Sequence, residues 1–137
     1  MKYDNMVEAC FLNRPNRFIA NILVDGEEKV CHVKNTGRCR ELLQENATVF
    51  VQQFDSPKRK TAYDLIAVQK GQRLINMDSV APNKVFGEYL SASGLGFVPE
   101  RIRPEYTHGD SRFDYYFEHG EKAAFCEVKG VTLEDLL

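Results

Sequence analysis

Residues 111–133 read SRFDYYFEHGEKAAFCEVKGVTL, and they decide what the C-terminal half of the chain is. Two β-like segments, Ser111 to Phe117 and Lys122 to Thr132, flank His119-Gly120-Glu121, which suits a tight hairpin turn. Side chains two apart on a strand share a face. Glu127 and Lys129 therefore project together, while Cys126 and Val128 point the other way. Asp114 lies on the neighbouring strand, and pairing across the turn is expected to bring its carboxylate beside that of Glu127. Glu-x-Lys on a strand is commonly a solvated ion-pair ladder. Here the charges are embedded in YYF and AAFC, where an unpaired charge is costly. That favours a cleft wall.

Two carboxylates and a lysine on one sheet face can serve Mg²⁺-assisted phosphodiester hydrolysis. Oxygen ligands suit a hard cation that keeps waters for nucleophile and substrate. The metal polarises the phosphate and acidifies a water, and an ammonium orients that water or offsets developing negative charge.

Upstream of this stretch, Val98 to Tyr106 reads as a further strand, joined through His108-Gly109-Asp110. Before it, Pro82-Asn83 precede KVFGEYLSAS, where Val85, Phe86, Tyr89 and Leu90 recur at helical spacing until Gly94 and Gly96. A helix followed by a three-stranded meander is expected.

The first half is β-like. Val7 to Leu12, Arg17 to Val24 and Lys29 to Val33 read as strands, the last two joined by Asp25-Gly26. One or two helical turns are expected over Arg38 to Gln44. Strands follow at Thr48 to Phe54, Thr61 to Val68 and Arg73 to Met77. Short strands around one brief helix suit an OB-like barrel. The fold class is thus α+β, with an OB-like domain over 1–78 and a second domain over 79–137.

At 137 residues and a net charge of −2, the chain lacks the bulk charge to coat DNA, so affinity for nucleic acid must come from local clusters. One cluster is Arg14, Arg17, Lys34, Arg38 and Arg40, framing Asn35-Thr36-Gly37. Such a turn into a helix offers backbone N–H groups to a phosphate, although Asn35 and Thr36 also serve as helix caps. Lys58-Arg59-Lys60 forms a second cluster, either a solvated loop or a phosphate contact, and Arg112 shares the face of Asp114. Phe11, Phe18, Phe50 and Phe54 fit a barrel core better than base stacking. Cys10, Cys31, Cys39 and Cys126 match no zinc spacing and read as thiols, with Cys10 and Cys126 buried. No apolar run spans a bilayer and no signal block opens the chain, so a cytoplasmic location and no membrane partner are expected.

An aspartate on one strand and Glu-x-Lys on the next, after a helix, resembles the PD-(D/E)xK nuclease superfamily. SRFDYYF and CEVKGVTL, together with the upstream NTGRCRELL, resemble the sugar fermentation stimulation protein (SfsA) family over nearly the whole chain. The resemblance implies an OB-like domain, a nuclease-like domain, DNA in preference to RNA as partner, and a link to regulation of sugar (maltose) metabolism. It implies Asp114 and Glu127 as ligands of Mg²⁺ or Mn²⁺, and Lys129 as the catalytic lysine. The superfamily often adds an acid from the helix, which points to Glu88 as a further metal ligand or else a plain exposed helix residue. Superfamily members often work as homodimers. Family members continue beyond VTL with a further helix and strand, so this chain is expected to carry an incomplete nuclease-like domain, and the resemblance implies nuclease activity for the full-length protein without implying it for this chain alone. The rival expectation is a DNA-binding transcriptional regulator without catalysis.

Overall fold

The computed structural model describes residues 1–132. Two compact units form, one built on Lys2–Ser79 and the other on Val80–Gly130 with Met1.

The first unit contains β1 (Met6–Asn13), β2 (Ile19–Val24), β3 (Glu27–Val33), β4 (Thr48–Gln53), β5 (Tyr63–Lys70) and β6 (Arg73–Asn76). The sheet order is β3-β2-β1-β4-β5-β6, and a parallel pairing of β3 with β5 closes the first five strands into a barrel. This is an OB-like barrel. Period-two alternation drives it: β2 buries Ala20, Ile22 and Val24, and β4 buries Val49 and Val51. The hairpin between β2 and β3 turns on Asp25 and Gly26, both at positive φ (51° and 79°), as a two-residue hairpin of this twist requires. Of the one or two helical turns expected over Arg38 to Gln44, one forms. Leu42 and Leu43 both donate to the Cys39 carbonyl, and the chain then leaves the helical path. Leu42 and Leu43 are still buried, because burying two adjacent leucines needs only one turn.

Two carboxylates are buried in this barrel unit, Asp64 and Asp78, each 3% exposed. Lys34 reaches both, with Nζ 3.6 Å from Asp64 Oδ2 and 3.4 Å from Asp78 Oδ1. Arg59 pairs with Asp64, and the Tyr3 hydroxyl donates to Asp78 (2.9 Å). Buried charge is tolerated because each anion meets cations and donors.

Cys31 is fully buried, whereas Cys10 and Cys126, expected to be buried, are only partly so. Burial, and then the nearby charge of Asp64, push the Cys31 thiol up to about 12. Since only the thiolate alkylates, Cys31 is expected to resist iodoacetamide at pH 8 in the native protein and to react once unfolded. Mass spectrometry of peptides checks this, and rapid native labelling would contradict it.

The second unit contains α1 (Ala81–Ser91) and the antiparallel sheet β7 (Arg101–His108), β8 (Ser111–His119) and β9 (Lys122–Cys126). The helix begins earlier than the expected Lys84 because proline is well placed in a first turn, where its missing N–H is not needed. Its inward face is Phe86 and Leu90, which pack with Tyr115, Phe117 and Ile102, while Val85 and Tyr89 are exposed. A Cβ at Gly87 would collide with the Tyr115 hydroxyl, so the close approach of ring to helix needs glycine there. Both hairpins turn on glycines at positive φ, Gly109 (61°) and Gly120 (60°). The strand expected to begin at Val98 begins at Arg101. The strand expected to run to Thr132 ends at Cys126, so Glu127 and Lys129 lie just beyond it. Leu133 to Leu137, the close of the second expected domain, lie outside the described residues.

Candidate functional site

The register of β8 against β9 ends on Tyr115 opposite Cys126. One further step in the same register sets position 114 against position 127. The ladder is continued there by a side chain: Asp114 Oδ2 accepts the Val128 backbone N–H at 2.7 Å. Asp114 Oδ1 accepts from Asn83 Nδ2 at 3.2 Å, so the first turn of α1 and the segment after β9 both hold the carboxylate. The Tyr115 hydroxyl also donates to the Asn83 carbonyl (2.5 Å), and burial, then the charge of Asp114, raise its pKa. Asn83 thus positions two residues of β8. The sequence marked it only as a residue preceding the helix.

Glu127 and Lys129 do share a side, with Lys129 Nζ 3.4 Å from Glu127 Oε2. Both are open to solvent, at 54% and 78% exposure, so this pair contributes little to stability. Cys126 and Val128 point the other way, against the helix-packed core.

Glu88 stands apart. Its carboxylate is exposed and pairs with the Met1 ammonium at 2.8 Å. Among the described residues no three His, Cys, Asp or Glu side chains gather into a metal-holding group. Glu88 as a third ligand is therefore not carried by this arrangement. Among the described residues a hard cation would draw on Asp114 and Glu127, a donor set that fits Mg²⁺, which keeps several waters and binds through one or two carboxylates. Arg112 is exposed and pairs with Glu105 (3.1 Å).

In the barrel unit the predicted nucleic-acid residues separate into two kinds. Arg14 is spent internally: its guanidinium donates to the backbone carbonyls of Gly37 (2.5 Å), Arg38 (2.9 Å), Arg17 (2.7 Å) and Asn35 (2.7 Å). It clips the segment after β3 to the segment after β1 and has no donor pair left for a phosphate. Burial lowers its pKa. Lys34 is held by the buried carboxylates. Arg59 is paired with Asp64 and lies over the Phe54 ring, 3.9 Å from its centroid. Each is better placed for structure than for ligand. Asn35 Oδ1 accepts the Gly37 N–H (2.9 Å), an Asx-type turn that replaces the expected helix cap and takes up that N–H. Thr36, Gly37, Arg17 and Arg38 line one open cavity with Arg40. Lys58 and Lys60 are exposed on their loop. Phe11 is core, but Phe18, grouped with it in sequence, is 55% exposed. No sequence signal separated the two, since both sit in strand-like segments.

Among the described residues no helix is long and apolar enough to cross a membrane. The chain matches the description "SfsA N-terminal OB domain" over residues 12–77 and "Sugar fermentation stimulation protein RE domain" over residues 80–137. It is 58% identical to a sugar fermentation stimulation protein homolog of Desulfitobacterium hafniense (strain DSM 10664 / DCB-2), covering 98% of this chain and 59% of that one. A homolog from Clostridium beijerinckii is 56% identical, with 98% and 60% covered. The chain thus spans about three-fifths of these relatives' length. Among solved structures, Pyrococcus furiosus SfsA in complex with Ca²⁺ superposes with a TM-score of 0.79 at 23% identity, covering 93% of this chain and 55% of that one.

Proposed function

This chain belongs to the sugar fermentation stimulation protein (SfsA) family, and from that premise we propose that it binds nucleic acid and carries a divalent-cation-dependent phosphodiesterase site. Asp114 and Glu127 are its metal ligands and Lys129 its catalytic ammonium. The observation that carries this reading is the end of the β8–β9 hairpin. There Asp114 is held by two donors on the register step opposite Glu127, and Glu127 carries Lys129 beside it.

The chemistry follows from what each group can do. Asp114 is held in orientation by Asn83 and Val128, so its remaining lone pairs are fixed in place before a cation arrives. Glu127, 54% exposed, is paired instead with Lys129. Lys129 neutralises Glu127; Glu127 would serve as a ligand to the cation, and the Lys129 ammonium would stabilise charge on a phosphate oxygen or orient the attacking water. When bound, Mg²⁺ or Mn²⁺ supplies Lewis acidity and a water of lowered pKa. The Ca²⁺ of the solved Pyrococcus relative belongs to the same class of hard, oxygen-seeking cations.

The rival is a DNA-binding regulator of sugar metabolism that never cuts. It is favoured by one feature, the lack of a third acidic ligand among the described residues. Labelled single- and double-stranded DNA and RNA, incubated with this chain and in parallel with the longer Desulfitobacterium relative, separate the two. Cleavage dependent on Mg²⁺ or Mn²⁺ and abolished by EDTA is expected. Binding without cleavage by either protein sinks the phosphodiesterase and leaves the regulator.

A further inference from the structure

The open cavity beside the end of β1 has a volume of about 750 Å³, within the range of sites that hold small ligands. Its walls come from the end of β1, the β1–β2 connection and the segment after β3. The charges on it are uneven. Besides Arg14, three arginines, Arg17, Arg38 and Arg40, line it with one acidic residue, Glu45. Arg14, the fourth arginine there, is consumed by four carbonyls. Among the described residues Arg17, Arg38 and Arg40 have no side-chain hydrogen bond or ion pair, unlike Arg14 and Arg59, and all three are exposed. Free forked donors at a concave site are suited to phosphate oxygens.

A second observation narrows the ligand. Phe18 follows Arg17 directly and is 55% exposed, and the Arg17 guanidinium carbon stands 5.8 Å from its ring centroid. Asn16, also in the cavity wall, accepts the Phe18 and Ile19 N–H groups (2.8 and 3.1 Å), which fixes the backbone beneath the ring. Every other phenylalanine of the barrel has work in the fold: Phe11 is core at 3% exposure, Phe50 is half-buried in β4, and Phe54 lies under Arg59. Among the described phenylalanines of the barrel, Phe18 alone offers an open ring, beside Arg17 of the cavity wall.

We propose that this cavity binds single-stranded nucleic acid, with Arg17, Arg38 and Arg40 on consecutive phosphates and Phe18 stacked on a base. The proposal rests on the reading that the chain binds nucleic acid, and it adds the strandedness. In a duplex each base face is covered by its neighbours, so Phe18 has nothing to stack on. A flexible single strand can turn a base onto the ring while its phosphates follow the arginines.

Fluorescence anisotropy on the 137-residue chain, in EDTA so that no cleavage intervenes, tests this with a labelled oligothymidylate of about 12 nucleotides and a duplex of the same length. The single strand binds more tightly. Phe18→Leu weakens it by about 5- to 100-fold, Phe18→Tyr retains it, and neither moves duplex binding. Arg38→Ala with Arg40→Ala flattens the slope of log affinity against log salt by about 1.4, since each phosphate contact on a single strand accounts for about 0.7. Equal or tighter duplex binding, or an unchanged affinity in Phe18→Leu, overturns the proposal. A protein that passes these binding tests but never cuts with Mg²⁺ counts against the phosphodiesterase alone.

Discussion

Glu127→Ala is expected to weaken Mn²⁺ binding by at least about tenfold and to cut nuclease activity to roughly 10⁻² to 10⁻³ of the parent rate. The size of the effect follows from how few oxygen ligands the site has. With Asp114 and Glu127 as the acidic donors, removing one halves the protein's negative charge toward the cation. Folding should be untouched, because Glu127 lies beyond β9 at 54% exposure and, among the described residues, forms an ion pair with Lys129 alone. Lys129→Ala separates ligand from catalyst. Its ammonium sits 3.4 Å from Glu127 Oε2 and competes with any cation for that oxygen. Its removal should leave Mn²⁺ affinity the same or higher while cleavage falls. Calorimetric titration of Mn²⁺ and a gel-based cleavage assay read the two effects independently. If Glu127→Ala keeps both parental affinity and parental rate, the site is misassigned.

Lys34→Ala should destabilise the barrel unit by about 3 kcal/mol, at the low end for breaking a buried ion pair because Asp64 and Asp78 keep other partners. The cost arises on the acidic side. Two carboxylates, each 3% exposed, lose the cation that bridges them 3.6 and 3.4 Å away. Lys34→Met tests the cause, since it keeps an apolar stem of similar length and removes only the charge. Urea unfolding of all three proteins is the measurement, read as midpoint shifts at unchanged slope. The methionine variant should recover less than half of the loss. A loss below about 1 kcal/mol in Lys34→Ala would show that the remaining partners satisfy the pair, and Lys34 would return to the list of surface cations.

The two hairpins of the second unit and the turn at Asp25-Gly26 were legible because each depends on residues that are neighbours in sequence. Glycine or aspartate takes positive φ there, and the flanking alternation sets the face. Over Arg38 to Gln44 the sequence left one or two turns open, and the structure has one, with Leu42 and Leu43 buried in the barrel. The end of β9 was misplaced for a similar reason: the Asp114 carboxylate takes the Val128 N–H that a longer strand would have paired with backbone. Glu88 was read from the superfamily resemblance and its place on the helix, and its partner, the Met1 ammonium, lies 87 positions away in sequence.

The sequence by itself determined the OB-like barrel, the helix and meander that follow, and the shared side of Glu127 and Lys129. Side-chain alternation is a consequence of covalent geometry and acts over two or three residues. Only the tertiary structure decided which cations are free. An arginine is the same residue in both cases, yet Arg14 donates through both terminal nitrogens to carbonyls 21 to 24 positions away, while among the described residues Arg38 makes no side-chain hydrogen bond. The partner of a long charged side chain is set by chain closure at distance, which no local pattern encodes. The same holds for Phe18, whose strand-like setting matches that of Phe11 but whose ring the closed barrel leaves outside.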